Sequence, residues 1–303
     1  MTERFTQGSL RWISLKSPSK EEVATLLKEL DLSPLLTSDL TTPVPKNSAV
    51  CIDGAVKVTL DFPVVKRIDP AHPYEVKFII VKNLLLTVHY EEMEGIDRFK
   101  RQFEVSAALR KKQKGITSAH LFISLINNLY ESADTKLDYI EAKLAEIEDQ
   151  IFKDNEKQMV FEISNVSKKL ITFRHILRGH EEVFRDLRPL FEQLYQLQFN
   201  TDIQNLQGQY FTMQRRVSTQ YETLSALRET NSAMLTTKQN EVMKILTIMA
   251  FVTFPLTLFS SMFGMNTENT PIIGHHADFW IIVAIMITVA VSFFSFFKRK
   301  GWM

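Results

Sequence analysis

The side chains able to do chemistry on a small ion or on water crowd into the last quarter of the chain. Asn266 stands beside Gly264 and Met265, Glu268 follows, and His275-His276 come after. Upstream, an otherwise apolar run carries Thr247, Thr253, Thr257, Ser260 and Ser261. Amide carbonyls and hydroxyls are neutral acceptors that bind water or a hydrated ion. The two imidazoles are adjacent, a spacing that does not easily put both on one ion, so no metal site is assigned to them. Elsewhere there is no phosphate-binding glycine loop, no nucleophile elbow and no paired Cys/His spacing. No enzyme chemistry is expected, and no cofactor.

The elements that hold these residues are two uncharged runs, Ile245 to Phe263 and Phe279 to Phe297, each of 19 residues. As helices each is about 28 Å long, close to the hydrocarbon thickness of a bilayer. They read as a transmembrane hairpin. The loop between them, Gly264 to Asp278, has no Lys or Arg, whereas Lys238 and Lys244 precede the first run and Lys298-Arg299-Lys300 follow the second. The positive-inside rule puts both ends in the cytoplasm and the loop outside, in a cell membrane. Trp280 and Trp302 fall at the two interfaces, where amphipathic rings sit.

At about 100° per residue, Met243, Leu246, Ala250, Phe254, Thr257 and Ser261 share one face of the first helix, roughly 80° wide. It passes from apolar at the cytoplasmic end to hydroxylated at the outer end. Hydroxyls gain nothing from lipid, so this face belongs against another helix or along a water path.

Asn240-Glu241-Val242-Met243-Lys244-Ile245-Leu246-Thr247-Ile248, then Phe254-Pro255-Leu256-Thr257, then Phe263-Gly264-Met265-Asn266 resemble the CorA family of divalent-cation channels. Gly-Met-Asn at the outer end of the first of two C-terminal membrane helices is that family's signature. The likeness is clearest over residues 235–303. It implies a homopentamer with the first helix around a central pore, and a Mg2+ channel admitting Co2+ or Ni2+ as well. Gly264, Met265 and Asn266 become the ion-selecting mouth, with Gly264 permitting the turn, through a positive φ if one is needed. Met243, Leu246, Ala250, Phe254, Thr257 and Ser261 become the pore lining, and Asn240 the inner mouth. Where the family often has an acidic, Pro-containing loop, this chain has Thr267-Glu268-Asn269-Thr270-Pro271, with Glu268 as the loop acid. That departure keeps open a proton-coupled zinc transporter of the same superfamily. The resemblance also implies gating by cytoplasmic Mg2+ between acidic residues. That site does not map, since Asp202 is the lone acid between Glu192 and Glu222.

The remainder reads as an α+β membrane protein: an α/β cytoplasmic part over 1–95, long helices and a stalk over 96–238, and the membrane pair over 239–303. The formal charge of +1 gives no basis for nucleic-acid binding, and one cysteine, Cys51, allows no internal disulfide. No signal-like stretch opens the chain. Strands are expected at 10–15, 49–52, 55–62, 76–81 and 84–89. A capping box from Ser19 to Glu22 opens a helix to about Leu30, and a helical turn follows at 34–40. His89 and Asp39 are expected to be structural or exposed. Apolar residues spaced three and four apart (Leu137 to Ile151, Ile163 to Leu177, Ile203 to Met234) predict long antiparallel helices with a tip at Asp154-Asn155. With Gly208 as the one interruption, a single helix of about 90 Å is expected to run from Thr201 into the membrane. The basic stretch Arg110 to Lys114 reads as a polar turn.

Overall fold

A computed structural model describes residues 2–42, 46–63, 75–108, 116–195, 199–265 and 277–302. The Arg110–Lys114 stretch, Asn266, Glu268 and His275-His276 lie outside them. The chain packs as two compact units, residues 1–228 and 229–303.

In the first unit six strands form one sheet: β1 (Thr2–Gln7), β2 (Leu10–Lys16), β3 (Ser48–Ile52), β4 (Ala55–Asp61), β5 (Glu75–Val81) and β6 (Leu84–His89), in the order β1-β2-β6-β5-β4-β3. All neighbours are antiparallel except β2 and β6. Val81 pairs with Leu84 across Lys82-Asn83, a two-residue hairpin turn.

Alternation along the strands splits the side chains between two helical layers. Ile13, Leu15, Ile79, Leu86 and Val88 face Val23, Leu26 and Leu27 of α1 (Lys20–Glu29) and Leu36 and Leu40 of α2 (Leu36–Thr41). Ser19 caps α1 as its sequence requires. Its hydroxyl accepts from the Glu22 amide at 3.2 Å, and Glu22 accepts from the Ser19 amide at 3.0 Å. Trp12 and Phe78 face the other way. Trp12 meets Phe99 of α3 (Glu94–Ala108) at 4.9 Å, and Phe78 meets Phe122 of α4 (Ser118–Ile151) at 5.1 Å. A buried cation closes the first layer. Lys77 ion-pairs with Glu75 at 3.2 Å and donates to the carbonyls of Asp39 and Thr42, supplying partners for the orphan carbonyls that end α2. Asp39 itself pairs with Lys57, and His89 is buried against the Glu91 carbonyl at 2.7 Å, so both are structural.

Beyond the sheet, α4, α5 (Glu156–Arg178) and α7 (Asn200–Phe263) carry the seams that the spacing predicts, with α6 (His180–Tyr195) between the last two in the chain. Leu137, Ile140, Leu144, Ile147 and Ile151 are buried, as are Ile163, Val166, Leu170, Phe173 and Leu177. Asp154 takes φ 67° at the tip between α4 and α5. The α7 seam runs Ile203, Leu206, Tyr210, Met213, Val217, Leu224 and Leu227, all buried, with Gln220 filling the polar step. Gln220 donates 2.9 Å to the Leu137 carbonyl and so pins the register of α7 on α4. Arg216 extends that lock. It reaches Asp134, Asp138 at 2.7 Å and Glu141 at 3.0 Å, three carboxylates on one face of α4.

His180, at the start of α6, joins these helices to the sheet. Its Nε2 donates to the Asp61 carbonyl at 2.7 Å and its Nδ1 accepts from the Tyr130 hydroxyl at 2.6 Å, an arrangement that needs the neutral ring. Complete burial pushes its pKa down to about 4. The unfolded chain therefore binds a proton first as pH falls. The stability from the neutral ring is intact above about pH 6.5 and is lost progressively down to about pH 4, by roughly 3 kcal/mol in all. Unfolding midpoints of the full-length protein in detergent, wild type against His180→Gln, should converge as pH drops through that window. A constant gap between the two profiles would show that His180 does not titrate as described.

Candidate ion pathway

The second unit holds the apolar end of α7 and α8 (Asp278–Arg299), the two helices long and apolar enough to cross a membrane among the described residues. α7 is a single helix of 64 residues with Pro255 inside it. Pro255 has no N–H, so the Phe251 carbonyl loses its usual helical donor. The hydroxyls nearby bond back into the helix: Thr247 to the Met243 carbonyl at 2.7 Å, Thr253 to Met249 at 2.7 Å, Thr257 to Thr253 at 2.9 Å. In lipid this satisfies each donor without a partner from elsewhere.

α7 has one side committed to its own chain. Ile248 and Val252 are buried, and Phe251 lies 6.3 Å from Phe297 of α8, itself buried. At 100° per residue, Met243, Leu246, Ala250, Phe254, Thr257 and Ser261 lie on the opposite side of the helix. Met243, Leu246 and Phe254 are exposed there, Phe254 by 72%. Asn240 stands about 60° from Met243 around the axis, at the edge of this face. The hydroxyl of Thr257 gives its proton to the helix and keeps its lone pairs. Waters held by a cation turn their hydrogens outward, so an acceptor is what such a shell can use.

At its C-terminal end α7 does not break sharply. The Gly264 amide donates 3.0 Å to the Ser260 carbonyl and the Met265 amide 3.4 Å to Met262. Gly264 is not among the positive-φ residues, so the left-handed turn considered for it is not what the glycine provides. A Cβ added there would sit 3.1 Å from the Ser260 carbonyl, a tight contact rather than a forbidden conformation. The described part of α7 therefore ends at Met265 on a residual helical turn. Past the loop, Asp278 accepts from the Phe279 amide at 2.7 Å and starts α8.

Among the described residues no group of three or more His, Cys, Asp or Glu side chains is disposed to hold a metal ion. Sequence reasoning looked for acids on α7 and did not single out the three on α4 that lock it to α7. They show themselves through Arg216, a basic residue in a heptad helix opposite Asp134, Asp138 and Glu141 at i, i+4 and i+7.

The family model for the CorA-like Mg2+ transporter protein matches residues 7–299. The chain belongs to that family. It is similar to the cobalt/magnesium transport protein CorA of Methanocaldococcus jannaschii, with 24% identity over 98% of this chain and 93% of that protein. The protein of the same name from Thermotoga maritima shares 23% identity over 96% of this chain and 83% of its own length. Among solved structures, the complete CorA magnesium transporter of M. jannaschii superimposes with a TM-score of 0.84 at 21% identity, covering 99% of this chain and 93% of that one.

This CorA-family chain is thus a membrane protein that transports divalent cations and not an enzyme. Its fold is the family's: an N-terminal α/β part, long helices, and two C-terminal membrane helices.

Proposed function

We propose that this chain assembles as a homopentameric channel that conducts Mg2+, and Co2+ or Ni2+ less selectively, into the cytoplasm along the free face of α7. The observation that carries this reading is the opposition of two faces on one helix. One is packed toward α8, and the other passes from Met243 and Leu246 to Thr257 and Ser261 with no partner in its own chain. Five such faces around an axis would make an apolar throat below and a ring of acceptors above, opening at Gly264, Met265 and Asn266. Mg2+ releases its waters reluctantly and demands octahedral geometry. Neutral acceptors at the mouth suit the hydrated ion, and an apolar constriction closes by dewetting without a plug. Charge placement supports cytoplasmic termini, with Lys298, Arg299 and Lys300 after α8 and no Lys or Arg in the loop. The driving force needs no coupled reaction. A divalent ion gains roughly 4.6 kcal/mol per 100 mV on entering a negative interior, about three decades of concentration. The names of the similar proteins, cobalt and magnesium transporters, agree with this ion class.

Purified full-length protein in liposomes should take up Mg2+ when the interior is made negative, and go on doing so when the pH gradient is collapsed. Parallel runs with Co2+ and Zn2+ give the ion order. Uptake of Zn2+ that requires a pH gradient, with no Mg2+ entry, would replace the channel by a proton-coupled carrier and give the His275-His276 pair and Glu268 a role in it.

A further inference from the structure

The turn after α8 is built more tightly than a membrane helix needs in order to end. α8 finishes at Arg299 with Lys300 as its cap. The Gly301 amide donates 3.1 Å to the Lys298 carbonyl and the Trp302 amide 3.1 Å to the Phe297 carbonyl. Gly301 stands at φ 71°. This paired pattern around a left-handed glycine is the Schellman motif, and it brings the residue after the glycine back over the last helical turn. Trp302 accordingly stacks on Phe297, 5.8 Å between centroids at 29°. Phe297 is buried and lies 6.3 Å from Phe251 of α7. A continuous aromatic ladder, Trp302–Phe297–Phe251, thus runs from the turn to the helix that carries the candidate pathway. It arrives one residue from Ala250, at Phe251, which is half exposed beside the buried Ile248 and Val252.

We infer that the Gly301–Trp302 turn is a clamp that holds α8 against α7 beside the apolar throat, and so sets how readily that throat opens. The inference rests on the reading of α7's free face as the ion path. An apolar constriction stays dry only while its walls keep their spacing, and that spacing depends on what backs each inner helix. Without the left-handed residue the last turn frays, Trp302 leaves Phe297, and Phe251 loses the far end of its support. Trp302 and Gly301 are positioning residues here, since neither touches the ion.

The glycine offers a clean test. A Cβ at position 301 meets no atom within 4 Å, so a substitution there acts through backbone conformation alone. Asn tolerates the left-handed region and a β-branched residue does not. In liposomes carrying the full-length protein and an internal Mg2+ dye, Gly301→Val and Trp302→Ala are expected to raise basal Mg2+ entry about fivefold, the factor that roughly 1 kcal/mol makes in an equilibrium. Gly301→Asn and Trp302→Phe should stay at the wild-type rate. Mere damage to the fold would lower entry, so a rise reversed by the permissive variants is what distinguishes a clamp from a prop. Unchanged or lowered entry in inserted Gly301→Val and Trp302→Ala, or a Gly301→Asn protein that behaves like Gly301→Val, overturns the inference. Leu246→Ser serves as the comparison. If it raises entry and the clamp variants do not, the clamp alone falls; if it does nothing either, the path along α7 falls first.

Discussion

Replacing Asn266 with alanine is expected to cut Mg2+ influx roughly 30-fold or more while leaving the protein folded and inserted, since two lost contacts at about 1 kcal/mol each already reach that factor. In the proposed pentamer one substitution deletes five side-chain carbonyls from a single ring. The apolar seams that hold the chain together, from Leu137 on α4 to Leu227 on α7, lie far along the sequence and do not involve this position. Block by hexaammine complexes, which mimic the hydrated ion, should weaken in the same variant. Asn266→Asp separates the acceptor from the charge. It keeps an oxygen on the ring and adds up to five negative charges, so it should hold divalent ions more strongly and discriminate among them less. Gly264→Ala is a milder change than the loop position suggests. The residue is not left-handed, and its new methyl group needs only a few tenths of an ångström from the Ser260 carbonyl. Wild-type Mg2+ entry through correctly inserted Asn266→Ala protein would remove Asn266 from the mouth.

The regular seams were legible because burial in a helical stack imposes one spacing. Apolar residues three and four apart from Ile203 to Leu227 could hardly serve another purpose, and they are buried. Gln220 and Asn231 occupy the same frame and are buried too, but as polar residues they looked like breaks in the pattern. The place of Gln220 is decided by a tertiary contact, its bond to the Leu137 carbonyl. The strand β1 was invisible for a related reason. Thr2–Gln7 has Phe5 as its one large apolar side chain, and what makes it a strand is pairing with β2 and the stacking of Phe5 on Trp12 at 4.7 Å. α6 was lost between two seams because Gly179, a residue in helical conformation, separates it from α5 without any stronger stop signal. In the membrane pair the face of α7 could be found by periodicity alone. What that face looks upon could not, since in the proposed assembly it is covered by neighbouring copies rather than by this chain's own residues.

Leu246→Ser carries the second large effect, a rise of basal Mg2+ entry by about tenfold or more. Leu246 is exposed on the free face of α7, one turn inward of Ala250 and on the side away from Ile248. In the proposed assembly five leucines at this level form the narrowest dry ring. Its closure rests on the unfavourable hydration of their side chains, each of which is worth roughly 1.5–3 kcal/mol when taken out of water. Serine removes that surface and supplies a hydroxyl that water can bond. A change of only 1.4 kcal/mol across the whole ring shifts the wet-to-dry ratio tenfold. The substitution should spare the fold, because the side chain is exposed within its own chain and a serine hydroxyl can bond back to the carbonyl one turn earlier, as Thr247 and Thr253 do. Phe254→Ser makes the graded companion. Phe254 lies farther out on the same face, next to the hydroxylated end, so wetting it should raise entry less than wetting Leu246. Flux measured against inserted protein decides between the readings. Equal or lower entry in Leu246→Ser would mean that this face packs against another helix and that ions travel elsewhere, whereas a rise that is smaller at Phe254 than at Leu246 locates the gate in the cytoplasmic half of α7.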